Sequence, residues 1–322
     1  MKLSKRMQVL PAAAAAAVCL LSACPAAQAA PPGYDTTVQA QNPFAYFRQQ
    51  ETGIVTGATA DDVSASNRDA TFQGSPTGGV TGAGTGSDNA VTYSGAATGT
   101  ATQYFGGSAL RPLGSSIAAS SLEFLYKTNP GLPTQKQSLF GVFNTGATTA
   151  VEVTLNSQGN DALADTPNTT RFFIRGDDGD AVGVHFTNAA LYDGGFHHLV
   201  FTFDASLTGV AAFAGYVDGV PQTLTLQQVG TGAADADTDP DTFADFAFDP
   251  TFAARNVRTT LGGAAIARQA NITLDEAALY TSVLTPEQVA THAAAAGIPE
   301  PTSLALLAVG GLGLLRRRRP AR

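Results

Sequence analysis

The chain reads as an all-β protein, two antiparallel sheets packed as a sandwich, with one short helix near the C-terminal end. Three observations predict this. Between residues 120 and 280, short runs of alternating apolar and polar residues recur, bounded by Gly, Asp, Asn and Thr. From Thr52 to Gly107 the sequence is rich in Gly, Thr, Ala and Ser, the composition of loops between short strands. Only the stretch from Thr285 to Gly297 carries clear helix start and stop signals. Many short strands with a single late helix indicate an antiparallel sandwich.

In order, Pro31 to Pro43 reads as a polar, extended lead-in, and Phe44-Ala-Tyr-Phe-Arg48 opens the first apolar element. Ala90-Val-Thr-Tyr93 is a short strand. Gly78 to Gly86 approaches linker composition, but the piece before it holds too little apolar sequence to fold alone. Strands are predicted at Leu122–Tyr126, Gln137–Phe143, Val151–Leu155 and Arg171–Arg175. In Phe196–Asp204, Leu199, Phe201 and Phe203 share one face, and Val200, Thr202 and Asp204 the other. Asp218-Gly219 stands where a two-residue type I′ hairpin turn is needed. Asn271–Tyr280 is the last strand. Thr285 then serves as N-cap, Pro286 as N1 and Gln288 as the N3 partner of a capping box; the helix runs through Ala296 and stops at Gly297.

The two ends are addresses. Lys2, Lys5 and Arg6 precede an apolar core from Ala12 to Leu21, and Ala27-Gln28-Ala29 has the small-x-small pattern of signal-peptidase cleavage, leaving Ala30 first. Leu21-Ser-Ala-Cys24 offers a rival site, resembling a lipobox in which Cys24 is lipidated. At the other end Pro299-Glu300-Pro301 precedes an apolar run, residues 302–315, and a basic end, residues 316–322. As helix, that run of 14 residues covers about 21 Å. A bilayer core is about 30 Å thick, so the run is short for a lasting span. Kink, short apolar helix and arginine cluster together resemble the PEP-CTERM sorting signal. The resemblance implies export from a Gram-negative cell, transient membrane anchoring, and reading of the tail by an exosortase-type membrane protease. An ordinary C-terminal anchor is the alternative.

Composition bounds the body between these ends. The cysteines are Cys19 and Cys24, so after cleavage at Ala29 the exported domain folds without disulfides. Eight of the 18 basic residues and one of the 26 acidic ones lie in the terminal segments, leaving 10 against 25, a net of −15. Such a surface repels nucleic acid, favours cations, and suits uncharged glycans better than acidic ones.

A second resemblance rests on Gly195–Asp204, Tyr216-Val-Asp-Gly219, Leu274–Tyr280 and Leu284-Thr-Pro-Glu-Gln288, with Ala45-Tyr-Phe-Arg48 and Glu51 at the start. These residues look like the LamG-like, concanavalin A-type jelly-roll modules of bacterial surface proteins. The family usually has Trp where Phe196 stands, and this chain has none. The acidic stretch Asp235 to Asp249 is also longer than a hairpin needs. The expected organisation is a signal peptide (1–29), the lead-in (30–43), a jelly-roll domain (44–297) and the sorting tail (298–322).

For chemistry, the related glycoside hydrolases place two or three carboxylates on one strand, and retaining hydrolysis needs a pair about 5 Å apart. The glutamates of the body, Glu51, Glu123, Glu152, Glu276 and Glu287, do not form that pattern. Asp275 and Glu276 are neighbours on a strand, so their side chains are expected on opposite faces. The same argument splits His197 and His198, one packed and one at the surface, which excludes their chelating one ion. His185 and His292 stand alone, and no nucleophile motif accompanies them. Calcium is the cofactor the loops could hold, through Asp177, Asp178 and Asp180 and through Asp235, Asp237 and Asp239. The competing reading is that Asp-Gly sequences make turns and acidic loops keep a surface soluble. The function expected is a non-enzymatic module at the cell surface or in the extracellular matrix, binding extracellular polysaccharide or a surface protein. A structural coat component without a small ligand and a secreted glycoside hydrolase of the same fold are the alternatives.

Overall fold

The computed structural model describes residues 33–83, 88–95, 101–130, 135–143, 149–157, 165–177, 179–230, 242–256 and 266–297. The chain enters through a helix, α1 (Tyr34–Gln39). Next come β1 (Ala45–Phe47), β2 (Thr59–Ala60), β3 (Ala70–Gln73), β4 (Thr77–Thr81), β5 (Asn89–Tyr93) and β6 (Tyr104–Gly106). The long strands of the middle are β7 (Ala119–Thr128), β8 (Gln137–Val142), β9 (Ala150–Ser157), β10 (Asp165–Arg175) and β11 (Ala181–Thr187). They are followed by β12 (His197–Asp204), β13 (Phe213–Val217), β14 (Val220–Pro221), β15 (Thr225–Gly230), β16 (Thr251–Phe252), β17 (Arg255–Asn256), β18 (Ile266–Ala267) and β19 (Ile272–Tyr280). α2 (Pro286–Ala295) closes the described chain.

The strands form the two antiparallel sheets of a sandwich, as the alternation predicts. The first runs β14-β13-β12-β7-β19-β5-β4, with β1 also on β19. The second runs β15-β11-β10-β9-β8-β16-β6-β3-β2, with β17 and β18 beside β8. A short parallel contact, Asn256 with Val142, joins β17 to β8. Leu199, Phe201 and Phe203 all enter the core between the sheets, the face assigned to them by period. Without tryptophan, phenylalanine fills this space. Phe105 and Phe252 stack at 4.5 Å and 5°, with Phe47 5.1 Å from Phe105 and Phe140 5.0 Å from Phe252. Each such buried ring contributes about 1.5–3 kcal/mol through apolar burial.

The turn and helix signals hold in detail. Asp218 (φ 52°) and Gly219 (φ 77°) carry the two positive φ values of a type I′ turn. Thr285 Oγ1 accepts from the Gln288 N–H at 3.2 Å and Gln288 Oε1 from the Thr285 N–H at 2.7 Å, completing the capping box. Gly297, at φ 72°, ends the helix.

One expectation needs correction. Residues 34–39 are helical rather than extended, because Tyr34 and Val38 find an apolar surface on which to pack. A helix of this length owes its stability to packing rather than to propensity. Within the linker-like stretch, Thr77–Thr81 is a strand paired to β5, so no division of domains falls there. Both helices lie on the outer face of the first sheet: Val38, Leu284 and Val289 pack with Tyr46, Val200, Tyr216, Ala278 and Tyr280.

Candidate functional site

The site grows from the parity of three neighbouring strands. On β7, Leu122, Phe124 and Tyr126 enter the core, which turns Glu123 and Leu125 outward. On β12, His198 faces outward with Val200, beside Glu123. α1 and α2 then cover these groups with Tyr34 and His292. Glu123 is fully buried and takes four donors. Tyr34 Oη and His198 Nε2 each lie 2.7 Å from Oε1, Tyr280 Oη lies 2.7 Å from Oε2, and His292 Nδ1 lies 3.0 and 3.1 Å from the two oxygens. A carboxylate can only accept, so each of these atoms carries the proton. Burial alone raises the Glu123 pKa, but the hydrogen bonds and charge of His198 and His292 outweigh it and hold the group well below the ordinary carboxylate range.

The expected split of the histidine pair is half right. His197 and His198 do face opposite ways, but neither is at the surface: His198 is fully buried and His197 is 8 % exposed. His197 Nδ1 lies 2.8 Å from Asp218 and Nε2 3.1 Å from Asp193, two turn aspartates that close over it. Burial disfavours its charged form, yet these two carboxylates raise its pKa.

Asp275 and Glu276 overturn the strand-parity argument. The pairing of β19 with β7 slips between Leu274 and Glu276, a β-bulge. Ile272 and Leu274 before the bulge, and Ala277 and Leu279 after it, all enter the core. The extra residue therefore leaves Asp275 and Glu276 together on the outer side. Tyr46 Oη donates to Glu276 Oε2, and Arg48 Nε stands 3.6 Å from Oε1. Asp275 Oδ2 accepts from the Ala83 N–H at 2.8 Å. Burial, opposed by that bond and reinforced by the Asp88 carboxyl beside it, raises Asp275 to about 7. Burial raises Glu276 well above its ordinary value too, with Tyr46 opposing and Asp275 reinforcing.

Glu276 and Leu125 form part of the wall of a pocket of about 450 Å³. Gly33, Tyr34 and Asp35 of the α1 end, Arg48, Gln50, Asp88, and Ala295 and Ala296 of the α2 end complete it. Arg48 crosses the pocket, 3.5 Å from Asp35 and 3.9 Å from Asp88. Its pKa is raised because Glu276, Tyr46 and the two aspartates outweigh the effect of burial. Gln50 Nε2 donates to Asp88 at 2.8 Å. A second hollow of about 220 Å³ shares Arg48 and Gln50 and extends to Gln49, Glu51, Asp61 and Val63. The lining thus mixes carboxyl groups, one guanidinium and an amide in a space the size of a few sugar rings.

Of the calcium residues, Asp177 and Asp180 are described. Asp177 accepts from the Thr242 hydroxyl, and Asp180 is buried at the β10–β11 turn. Asp178, Asp235, Asp237 and Asp239 lie outside the described residues. Among the described residues no three His, Cys, Asp or Glu side chains are placed to hold a metal ion. The processing residues Cys24, Ala29 and Ala30 and the motif Pro299, Glu300 and Pro301 also lie outside them. Among the described residues no helix is long and apolar enough to cross a membrane.

The fold and site define a class, an all-β sandwich whose first sheet carries a polar pocket beneath its two terminal helices. Residues 297–319 match the PEP-CTERM protein-sorting motif, beginning at the glycine that ends α2. The motif implies export, a C-terminal sorting tail and exosortase-dependent processing. No curated protein matches the chain in sequence. Among solved structures, the binding domain of botulinum neurotoxin serotype D is similar at a TM-score of 0.49 with 10% identity, over 79% of this chain and 52% of that one. The binding domain of botulinum neurotoxin DC in complex with rat synaptotagmin II gives 0.49 and 10%, over 80% and 52%. The chain spans about half the length of these structures (52%).

Proposed function

We propose that the exported body is a non-enzymatic binding module of the cell surface or extracellular matrix, and that its pocket takes neutral sugar units of an extracellular polysaccharide. The observation that carries this reading is the pocket lining. Asp35, Asp88 and Glu276 offer carboxyl oxygens as acceptors, and Arg48 offers donors. Sugar hydroxyls need that mixture, whereas a site with one sign of charge selects ions. The ion pairs around Arg48 also hold the side chains in place before a ligand arrives, which lowers the ordering cost of binding. Single sites of this kind bind weakly, and many copies in a matrix gain by multivalency. Calcium at Asp177, Asp178 and Asp180, or at Asp235, Asp237 and Asp239, belongs to the proposal as an ion that orders loops rather than one that touches sugar.

The test uses the full-length chain in detergent micelles, co-sedimented with the producing cell's own extracellular polysaccharide, with calcium and with chelator. Ala295→Trp fills the pocket mouth from a half-buried position and removes no charge. Binding lost in Ala295→Trp, with the melting temperature unchanged, supports the pocket. Binding indifferent to that substitution refutes it. Release of reducing sugar during incubation reinstates the hydrolase reading, and absence of any binding favours a structural coat component.

A further inference from the structure

The larger pocket does not stand alone. Arg48 and Gln50 form a wall common to it and to the hollow of about 220 Å³, so the two spaces adjoin. That wall is fixed in place. Gln50 Nε2 donates to the Arg48 carbonyl at 3.1 Å, to Asp88 at 2.8 Å and to the Asn89 carbonyl at 2.9 Å, and Gln50 Oε1 accepts from the Asn89 N–H at 3.0 Å. Arg48 is held on the pocket side by Asp35, Asp88 and Glu276. Gln49, between them, takes φ 54°, a left-handed conformation that a residue other than glycine keeps only where its surroundings impose it. Its side chain is buried, and Tyr93 Oη donates to its Oε1 at 2.5 Å.

The smaller hollow has an ordered far wall and an open side. The Asp61 N–H donates to Glu51 Oε1 at 3.0 Å, and the Val63 N–H donates to the Tyr46 carbonyl at 2.9 Å, which hold residues 61–63 against the chain leaving β1. Asp61 is exposed and Val63 is 39 % exposed, so both side chains are within reach of a ligand. Carboxyl acceptors beside an apolar side chain repeat the chemistry of the larger pocket, where Asp35 and Asp88 stand with Leu125, Ala295 and Ala296. A sugar ring has hydroxyls around its edge and C–H groups on its faces, and each hollow offers partners for both. Across the two hollows Arg48 is the one basic lining residue against several carboxyls, which works against acidic sugars.

We propose that the two hollows are successive subsites of one groove, and that its ligand is a run of several neutral sugar units laid across Arg48 and Gln50, not a single unit in the larger hollow. This rests on the larger pocket being a sugar site, and adds the length of chain it recognises. A unit seated in the larger hollow holds its neighbour in the chain close to the smaller one, so the second contact forms at high effective concentration. Because the common wall is ordered before binding, the added unit requires little rearrangement, and affinity rises with chain length until both hollows are filled.

The test uses the full-length chain in detergent micelles and oligosaccharides made by partial acid hydrolysis of the same extracellular polysaccharide, separated by size. Titration calorimetry is expected to show a tetrasaccharide binding about tenfold or more tighter than the single unit. Val63→Trp fills the smaller hollow from an exposed position and removes no charge, and should abolish that dependence on length. Asp61→Ala removes an exposed acceptor and should weaken the dependence, which keeps the test open should Val63→Trp fail to fold. A tetrasaccharide no tighter than the single unit overturns the proposal. So does a length dependence that survives both substitutions, because the added units then lie elsewhere. Binding that is lost in Ala295→Trp yet ignores length overturns this proposal alone, whereas no binding by any fraction overturns the sugar reading of the pocket with it.

Discussion

Asp275 is fully buried beside another carboxyl, and replacing it with asparagine should stabilise the protein. Its Oδ2 accepts from the Ala83 N–H at 2.8 Å, a bond that the amide oxygen of asparagine keeps. Its Oδ1 makes no hydrogen bond, although it is buried. Burial raises its pKa to about 7, with the Asp88 carboxyl adding to the effect, whereas an unfolded chain has about 3.9. The folded state therefore binds this proton more tightly than the unfolded state, and stability is lost as pH rises from about 4 to about 7. A gap of about three pH units corresponds to about 4 kcal/mol. Asparagine has nothing to ionise. Asp275→Asn should match the wild type within about 1 kcal/mol at pH 4, exceed it by about 2 kcal/mol near pH 5.5, and by about 4 kcal/mol at pH 8. The chain has no tryptophan, so urea unfolding is best followed by far-ultraviolet circular dichroism across that pH series. A difference that is flat with pH, or a variant less stable at pH 8, would refute the argument.

Three further outcomes follow from the same outer face. Glu123→Gln exchanges an acceptor oxygen for a donating amide among four donors, and should lower stability by about 3–5 kcal/mol at pH 7, read from the urea midpoint. Because the Glu123 pKa is depressed, its contribution is present above the unfolded value of about 4.3 and is lost as pH falls through the folded value, so the gap between wild type and variant narrows in acid. Gly219→Ala places a Cβ at φ +77° and 3.0 Å from the Ala293 Cβ, and should cost about 1–2 kcal/mol in thermal unfolding. Thr285→Ala removes the cap of α2 and should cost about 1 kcal/mol, read the same way.

How far the sequence reveals this molecule depends on the range of the forces involved. Leu199, Phe201 and Phe203 announce their face because period and pairing agree over adjacent residues. The Asp218-Gly219 turn and the Thr285–Gln288 capping box are legible for the same reason, since backbone conformation and hydrogen bonding are decided within four residues. The tail is legible as an ordered motif, and residues 297–319 match it. What escapes is long-range. Nothing near Glu123 indicates that Tyr34, 89 positions earlier, and His292, 169 positions later, will meet it. The bulge that turns Asp275 and Glu276 to one side arises from how β19 pairs with β7, and strand parity read from β19 alone gives the wrong answer. The α1 segment lacks a helical pattern and becomes a helix because the sheet offers Tyr34 and Val38 somewhere to pack. Arg171 and Arg175 of β10, Arg255 of β17 and Arg268 likewise read singly as solvated charges, and only the second sheet brings them together with Phe143, Phe173 and Glu152.

Glu123 also explains why the two ends of the body depend on each other. Tyr34 belongs to the first described helix and His292 to the last, and both donate to one buried carboxylate that also holds His198 and Tyr280. The segment from Tyr34 to His292 must therefore close before the carboxylate is satisfied, and contacts of such separation carry the largest loop-closure cost. α2 has little apolar surface of its own; Val289, Ala293 and His292 are its buried residues. Its docking thus leans on the His292–Glu123 bond, on Leu284 and Val289 against Tyr46 and Tyr280, and on Ala293 against the Gly219 turn. The sorting motif starts at Gly297, immediately beyond that helix. The element immediately before the motif is therefore one that packs against both the N-terminal helix and the first sheet.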